Sequence, residues 1–559
     1  MKRFFYLAAA ALVALWACEE KEGPDSSDSI TIISEAVVKL EAESSISTVV
    51  FKTNAAWTAS VDEDFLVPDI TKGDAADEVK IKVTAQNLPE GEFGRYGNLI
   101  IKAGTAEAKV LFYQGMVFIV SDDVEVGIEG GTAEFTVVTN LDYSFKKYDG
   151  EDQDFHWAPV TFDQATGKGS FAVEKNEGYD TRAAYVKFTV PAIQVPVYDE
   201  ETGEETGETQ DAVYRIYVYQ EGNSKEEWRT YLTEAFNVGE GATHTLAFFN
   251  GKLLVSDAKK VHIVNPDTGV FEDELATGNL PIQSIANDDE GNLLFANLGV
   301  YGDLFDVYAV KAGATDLSNP VHLIHFVNEA WSGSTGIDKV AAKGNVFGNG
   351  IVTAMYGGVI SYGGLSYTLY WTIANGKAEE AYYNEWNPVV NPSTSGWLAT
   401  PTLEDDLWLS NRAAFVPAGA SASDGFFYGG YDKLYNVYYY NGEDWQVSVE
   451  GAGDWAGGPQ GLKVTTWDGK KILVIAQMGY VWWSEGWGMP AYLWVVDVTN
   501  PVEPSVLSCA AYDSPGQLIS GDTEDSTVDV LPAVDGNDLV VYYLDASHGQ
   551  LIKVRFPKL

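Results

Sequence analysis

Apolar and polar residues alternate in short runs from Ile30 to Gly222, as in Val79-Lys80-Ile81-Lys82-Val83. A period of two predicts strands with one buried face, because successive side chains on a strand point to opposite sides. Gly, Asn and Asp punctuate the runs, and no useful length carries a helical period. Past Gly241 the rhythm changes. A Gly-containing turn leads into an apolar run, then a loop, then a second strand rich in Tyr or Val.

Six such units follow one another. Gly251–Val255 is read as pairing with Val261–Val264, and Gly291–Phe295 with Phe305–Val310. Gly350–Ala354 is read with Tyr367–Trp371, and Gly425–Tyr428 with Tyr435–Tyr440. Lys471–Ile475 is read with Leu493–Asp497, and Asn537–Tyr542 with Gln550–Val554. Repetition at this length fits a β-propeller of four-stranded blades, six by this reading, with seven as the alternative. Each unit is taken as the inner strand pair of a blade. The final strand is expected to close the ring against Thr245–Phe249. The predicted fold class is therefore all-β.

The first residues carry a different signal. Met1-Lys2-Arg3 precedes an apolar stretch, Phe4–Trp16, too short to span a membrane, so residues 1–17 read as a secretion signal. The stretch ends Leu15-Trp16-Ala17-Cys18, which resembles a bacterial lipobox. That resemblance implies a lipid on Cys18; ordinary cleavage with Cys18 unmodified is the alternative. Residues 18–29, opening Cys-Glu-Glu-Lys-Glu, are too polar to fold and read as a tether. An acidic tract in this place is similar to the surface-export signal of Bacteroidetes lipoproteins. It implies an outer-membrane, cell-surface location, with a periplasm-facing tether as the alternative.

Two stretches, 30–115 and 116–222, share an order of residues. The first has Asn54 then Trp57, Asn87 then Arg95, and closes Gln114-Gly115. The second has Asn140 then Tyr143, Asn176 then Arg182, and closes Gln220-Glu221-Gly222. This order resembles BACON domains, Bacteroidetes-associated modules, and implies two tandem immunoglobulin-like β-sandwiches. The second carries an insertion, Val195–Asp211, read as a solvated hairpin. The family name implies carbohydrate binding. Trp57, directly after a strand, is nevertheless read as core, and Trp157, beside His156 in a loop, as the better sugar-contact candidate. Residues 223–240 read as a hinge whose Lys225–Arg229 forms a helical turn, and 241–559 as the propeller.

Charge and composition narrow the function. The chain has 35 Lys and Arg against 81 Asp and Glu, a net charge of −46. So acidic a surface repels phosphate backbones and argues against nucleic acid. Two cysteines exclude a disulfide scaffold and a multi-cysteine zinc site. Cys509 is read as a buried free thiol.

Ten of the 16 Trp lie between Ala381 and Asn500. Trp482, Trp483 and Trp487 share one Gly- and Pro-rich segment with Glu485, which suits aromatic stacking on sugar rings with a carboxylate for hydroxyls. Trp386, Trp397, Trp455 and Tyr383 flank other long loops and are candidates for the same face. The alternative is that these rings wedge between blades.

No catalytic set emerges. Acidic runs such as Asp288-Asp289-Glu290 read as solvated turns. His322-Leu323-Ile324-His325 reads as strand, where positions three apart face opposite ways. No metal site or cofactor is expected beyond weak Ca²⁺ binding by Asp-rich loops. The expected function is non-catalytic capture of a polysaccharide or host glycan, with membrane attachment through Cys18 and outer-membrane uptake proteins as possible partners. A glycoside hydrolase or lyase with carboxylates in the propeller funnel, or a protein-binding scaffold, are the alternatives.

Overall fold

The computed structural model describes residues 28–90, 92–147, 155–198, 205–232, 235, 245–257, 259–299, 304–327, 334–358, 367–379, 396–399, 414–429, 436–451, 459–477, 491–512, 528–545 and 549–559. The chain is all-β, and among the described residues Ala422–Asp424 forms a 3-10 turn. It divides into two compact units: Met1–Glu177 with Thr181–Gly222, and Gly178–Asp180 with Asn223–Leu559.

The first unit holds two pairs of sheets. In the first pair, Ile30–Ile32, Ser45–Thr53, Ala76–Ala85 and Leu66–Pro68 form one sheet. Val37–Leu40, Ala106–Gly115, Gly94–Ala103, Trp57–Val61 and Lys72–Gly73 form the other. The alternation does what its period predicts: Val79, Ile81 and Val83 are buried, and Lys80 and Lys82 are exposed. Trp57 is core, edge-on to Phe51 at 5.2 Å. The second pair repeats the plan. In both, a short strand (Val37–Leu40 or Val124–Val126) runs parallel to the closing strand.

The shared sequence motif is a clamp. Arg95 Nε donates to Gln114 Oε1 (2.8 Å), and its Nη2 to the carbonyls of Gln86 (2.8 Å) and Asn87 (2.6 Å). Arg182 repeats this with Gln220 Oε1 (2.8 Å) and the carbonyls of Glu174 and Lys175. Each guanidinium also lies over a ring, Arg95 on Phe65 and Arg182 on Trp157 at 4.1 Å. Trp157 is therefore buried beneath Arg182 and not presented to a sugar.

Among the described residues the second unit contains six four-stranded antiparallel sheets, the third with Gly396–Ala399 added to its third strand. Their first strands are Thr245–Phe249, Ser284–Asn287, Ser334–Gly344, Ala414–Pro417, Pro459–Trp467 and Val528–Asp535. Each first strand contacts the next, and the sixth contacts the first. Every interface between neighbouring sheets has its own apolar cluster. Both faces of each sheet are thus covered, which is why Leu293–Ala296 is apolar throughout where the strands of the first unit alternate.

All six strand pairs read from the sequence are present. They are the second and third strands of their sheets, not the inner pair. Lys225–Tyr231 is a strand and not a helical turn. It pairs antiparallel with Gln550–Phe556 and completes the sixth sheet. The last strand therefore closes against Lys225–Tyr231 and not against Thr245–Phe249, whose one in-sheet partner is Lys252–Ser256. Hydrogen-bonding demand decides this: the outer edge of Gln550–Phe556 needs a partner, and Lys225–Tyr231 supplies it.

Candidate functional site

Antiparallel pairing sorts the connections of the second unit between two ends of its sheets. First-to-second and third-to-fourth connections leave one end. Second-to-third connections and those between sheets leave the other. Three connections at the first end are two-residue turns. Asn250-Gly251, Asn375-Gly376 and Asp468-Gly469 each place two residues at positive φ (50° and 74°, 52° and 75°, 50° and 73°), the hairpin geometry that Asn-Gly and Asp-Gly favour.

In sequence, the candidate aromatic residues fall between strands that meet the other end. Tyr383 and Trp386 fall between the third and fourth sheets and Trp455 between the fourth and fifth. Trp482, Trp483, Glu485 and Trp487 fall between Lys470–Gln477 and Tyr492–Asp497. All of these lie outside the described residues, as does Cys18. Trp397 is in the strand Gly396–Ala399, opposite Leu369 near the start of the third strand of its sheet, hence at the same end.

Polar groups stitch the first strands together. Asp529 Oδ2 accepts the Leu246 N–H, Thr245 Oγ1 the Ile285 N–H, and Ser284 Oγ the Val340 N–H. Lys339 reaches from the third sheet to the carbonyls of Gln460 on the fifth (3.0 Å) and Val528 on the sixth (3.4 Å). Lys343, on the same strand, likewise reaches the Val464 carbonyl of the fifth sheet (3.1 Å). Asp288, read as part of a solvated turn, is buried instead. It accepts the N–H groups of Glu290, Asn292 and Val346, because the turn that holds it packs the second sheet against the third.

Two Asp–His arrangements stand in neighbouring sheets. In the first sheet, Asp257 and His262 are buried, with Oδ2 and Nε2 2.8 Å apart. Asp257 Oδ1 also accepts the N–H groups of Lys259 and Lys260. Burial pushes this carboxyl up, but the bonds from His262 and the two N–H groups outweigh it and hold it below the usual carboxylate range.

In the second sheet, Asp306 Oδ1 lies 2.8 Å from His322 Nε2 and 2.7 Å from His325 Nδ1. Asp306 is paired directly across from His325. Val307 pairs with Ile324 and Tyr308 with His322, so Leu323 is an extra residue in the outer strand. This bulge returns His322 to the side of His325, and Leu323 and Ile324 turn inward. The two histidines therefore share a face, contrary to the reading from strand periodicity. Tyr308 stacks on His322 at 4.4 Å, and Asn297 Oδ1 accepts the Asp306 N–H. The three ligand atoms lie within 4.8 Å of one another. Asp306 and His325 sit near the end of the sheet that carries the long connections. The three residues are too far apart in sequence to form a motif, and a bulge leaves no local signal.

Cys509 is half-buried in Ser505–Ala511, and burial, with Asp180 nearby, pushes its thiol up to about 12. At neutral pH it is an unreactive thiol.

The family model for a domain of unknown function, DUF8500, matches residues 268–556, just over half of the sequence. The chain belongs to the DUF8500 family. The DUF8500 region takes in Asp306, His322 and His325 and the long connections described above. No curated protein matches the chain. Among solved structures, the chain is similar to a DUF4623 family protein from Bacteroides eggerthii, with 12% identity over 78% of this chain and 91% of that one, at a TM-score of 0.38. A quinonprotein alcohol dehydrogenase-like protein from Bacteroides thetaiotaomicron is 11% identical over 86% and 96%, at 0.25. A GH5 xyloglucanase from Bacteroides ovatus is 14% identical over 18% of this chain, which spans 27% of the xyloglucanase, at 0.15.

Proposed function

We propose that this DUF8500 chain is a lipid-anchored protein of the outer membrane that captures glycans at the cell surface without cleaving them. On this reading the second unit is a six-bladed propeller. The first unit is a pair of immunoglobulin-like sandwiches of the BACON kind, serving as a spacer. Cys18 carries the lipid.

One observation carries the reading. The strands that bracket the candidate aromatic residues place all their connections at one end of the sheets, opposite the tight turns. On our reading Trp386, Trp397, Trp455, Trp482, Trp483, Trp487 and Tyr383, with Glu485, share the face at that end. Flat rings grouped on one face suit sugar binding, since the CH-rich side of a pyranose packs on an aromatic plane. Two further features favour capture over cleavage. Asp529, a buried carboxylate on a first strand, has Oδ2 bonded to the Leu246 N–H, and Lys339 bridges the middle of the ring. The spacer role rests on the clamps, which consume the polar residues of the BACON-like motif, and on the burial of Trp57 and Trp157.

The test is a glycan array probed with the chain from Ser26 onward, beside the triple variant Trp482→Ala, Trp483→Ala, Trp487→Ala. The expected result is retention of a polysaccharide by the parent, at least tenfold loss in the variant, an unchanged melting temperature and no new reducing ends. New reducing ends would overturn the non-catalytic reading. A blank array, or a variant that binds as well as the parent, would overturn glycan capture by this face.

A further inference from the structure

We propose that Asp306, His322 and His325 bind a divalent transition-metal ion of the zinc class. The protein supplies three ligands, and the remaining positions open to solvent. The inference is independent of glycan capture.

The geometry is that of a ligand set. Two imidazole nitrogens converge on one carboxylate oxygen, at 2.8 and 2.7 Å. A carboxylate only accepts, so without a cation each of those nitrogens must point a proton at the same oxygen. A single metal ion replaces both protons and uses all three lone pairs, at about 2.0–2.2 Å each. Little movement is needed, since the three atoms already lie within 4.8 Å of one another.

The sheet builds the site rigidly. Asp306 and His325 are cross-strand neighbours, the bulge at Leu323 turns His322 to join them, and Tyr308 fixes the plane of the His322 ring. Asn297 pins the Asp306 backbone from the adjoining connection.

Donor chemistry selects the ion. Two nitrogens and one oxygen suit zinc and its neighbours, whereas Ca²⁺ takes six to eight oxygens and Mg²⁺ prefers oxygen and water. Exposure defines the kind of site. His322 and His325 keep 39% and 54% of their side-chain surface, so the ion would not be enclosed as in a four-ligand structural site. The open positions would take water or an oxygen or nitrogen donor from a ligand.

The test titrates Zn²⁺ into the purified full chain by calorimetry in excess Ca²⁺, with Co²⁺ absorption as a second readout. His322→Ala, His325→Ala and, as a control, His156→Ala are run alongside. The expected result is one Zn²⁺ per chain. Affinity should fall more than tenfold in either His322→Ala or His325→Ala and hold in His156→Ala. The intense visible bands of low-coordinate Co²⁺ should vanish with the same two variants. Circular dichroism checks that these remain folded. Zinc binding that is unchanged in His322→Ala or in His325→Ala, or that Ca²⁺ displaces, would overturn the proposal. So would the absence of stoichiometric binding by the parent.

Discussion

The Arg–Gln clamps of the first unit and the Asp–His₂ cluster of the second are both small polar arrangements built across neighbouring strands, with opposite relations to water. Gln220 is fully buried, and Arg182 fills its acceptor and two backbone carbonyls while covering Trp157. Asp306 gathers two histidines that stay in solvent. Asp257–His262 stands between them: it uses the residue types of the cluster but has the burial of the clamp. Residue type alone does not separate a structural group from a ligand set. What separates them is whether the lone pairs are consumed by backbone or converge where a ligand can reach them.

The clamp should show the largest effect. Arg182→Ala leaves Gln220 Oε1 and the Lys175 carbonyl without the Arg182 donor, leaves the Glu174 carbonyl only its bond from Gln220 Nε2, and uncovers Trp157. The expected loss is about 3 kcal/mol, from the buried Gln220 acceptor left unmade and the lost cover of Trp157. Hydrogen exchange of the amides in Arg182–Tyr198 under increasing urea would read it. A change below about 0.5 kcal/mol would put the clamp in the same class as an exposed ion pair.

The same distinction explains what the sequence made legible. The middle strands of the six sheets could be read because a Gly turn and an apolar run are local signals. The first strands, apart from Thr245–Phe249, could not. Ser284–Asn287 and Ala414–Pro417 are short, and which edge faces the ring is a tertiary fact. Lys225–Arg229 reads as a helical turn because Lys, Glu and Arg favour helices, yet an open strand edge recruits it into Lys225–Tyr231. Trp157 reads as exposed because it lies in a loop, and only the fold brings Arg182 over it. The aromatic candidates could be named from the sequence, but all except Trp397 lie outside the described residues. The metal-ligand set could not be found, because one extra residue at Leu323 inverts the periodicity on which the reading relied.

The buried pair should come next. Asp257→Asn removes the anionic partner of His262 and weakens the acceptor for Lys259 and Lys260, at a cost of about 2 kcal/mol near neutral pH. Asp257 titrates lower in the folded chain than unfolded, so its contribution is complete above the unfolded value of about 3.9 and drains away as pH falls through the folded one. The stability gap between parent and variant should therefore be constant from neutral pH down to about 4 and narrow below it. Urea midpoints across that range would measure it. A gap that widened in acid would reverse the assigned sign.

The exposed cluster should matter least to stability. In the double variant His322→Ala, His325→Ala, solvent takes the place of both imidazoles around Asp306, so no polar atom is stranded. Exposed ion pairs contribute little, and the expected change is below about 0.5 kcal/mol in urea unfolding. Leu323 and Ile324, which anchor the same strand in the apolar cluster between the second and third sheets, are untouched. A loss approaching that of the clamp would mean that the fold consumes these histidines as it consumes Arg182, and would remove the reason to see them as ligands. A bulge recurs between the third and fourth strands of other sheets, so it is the convergence of the two rings on Asp306 that a negligible loss would leave to ligand binding.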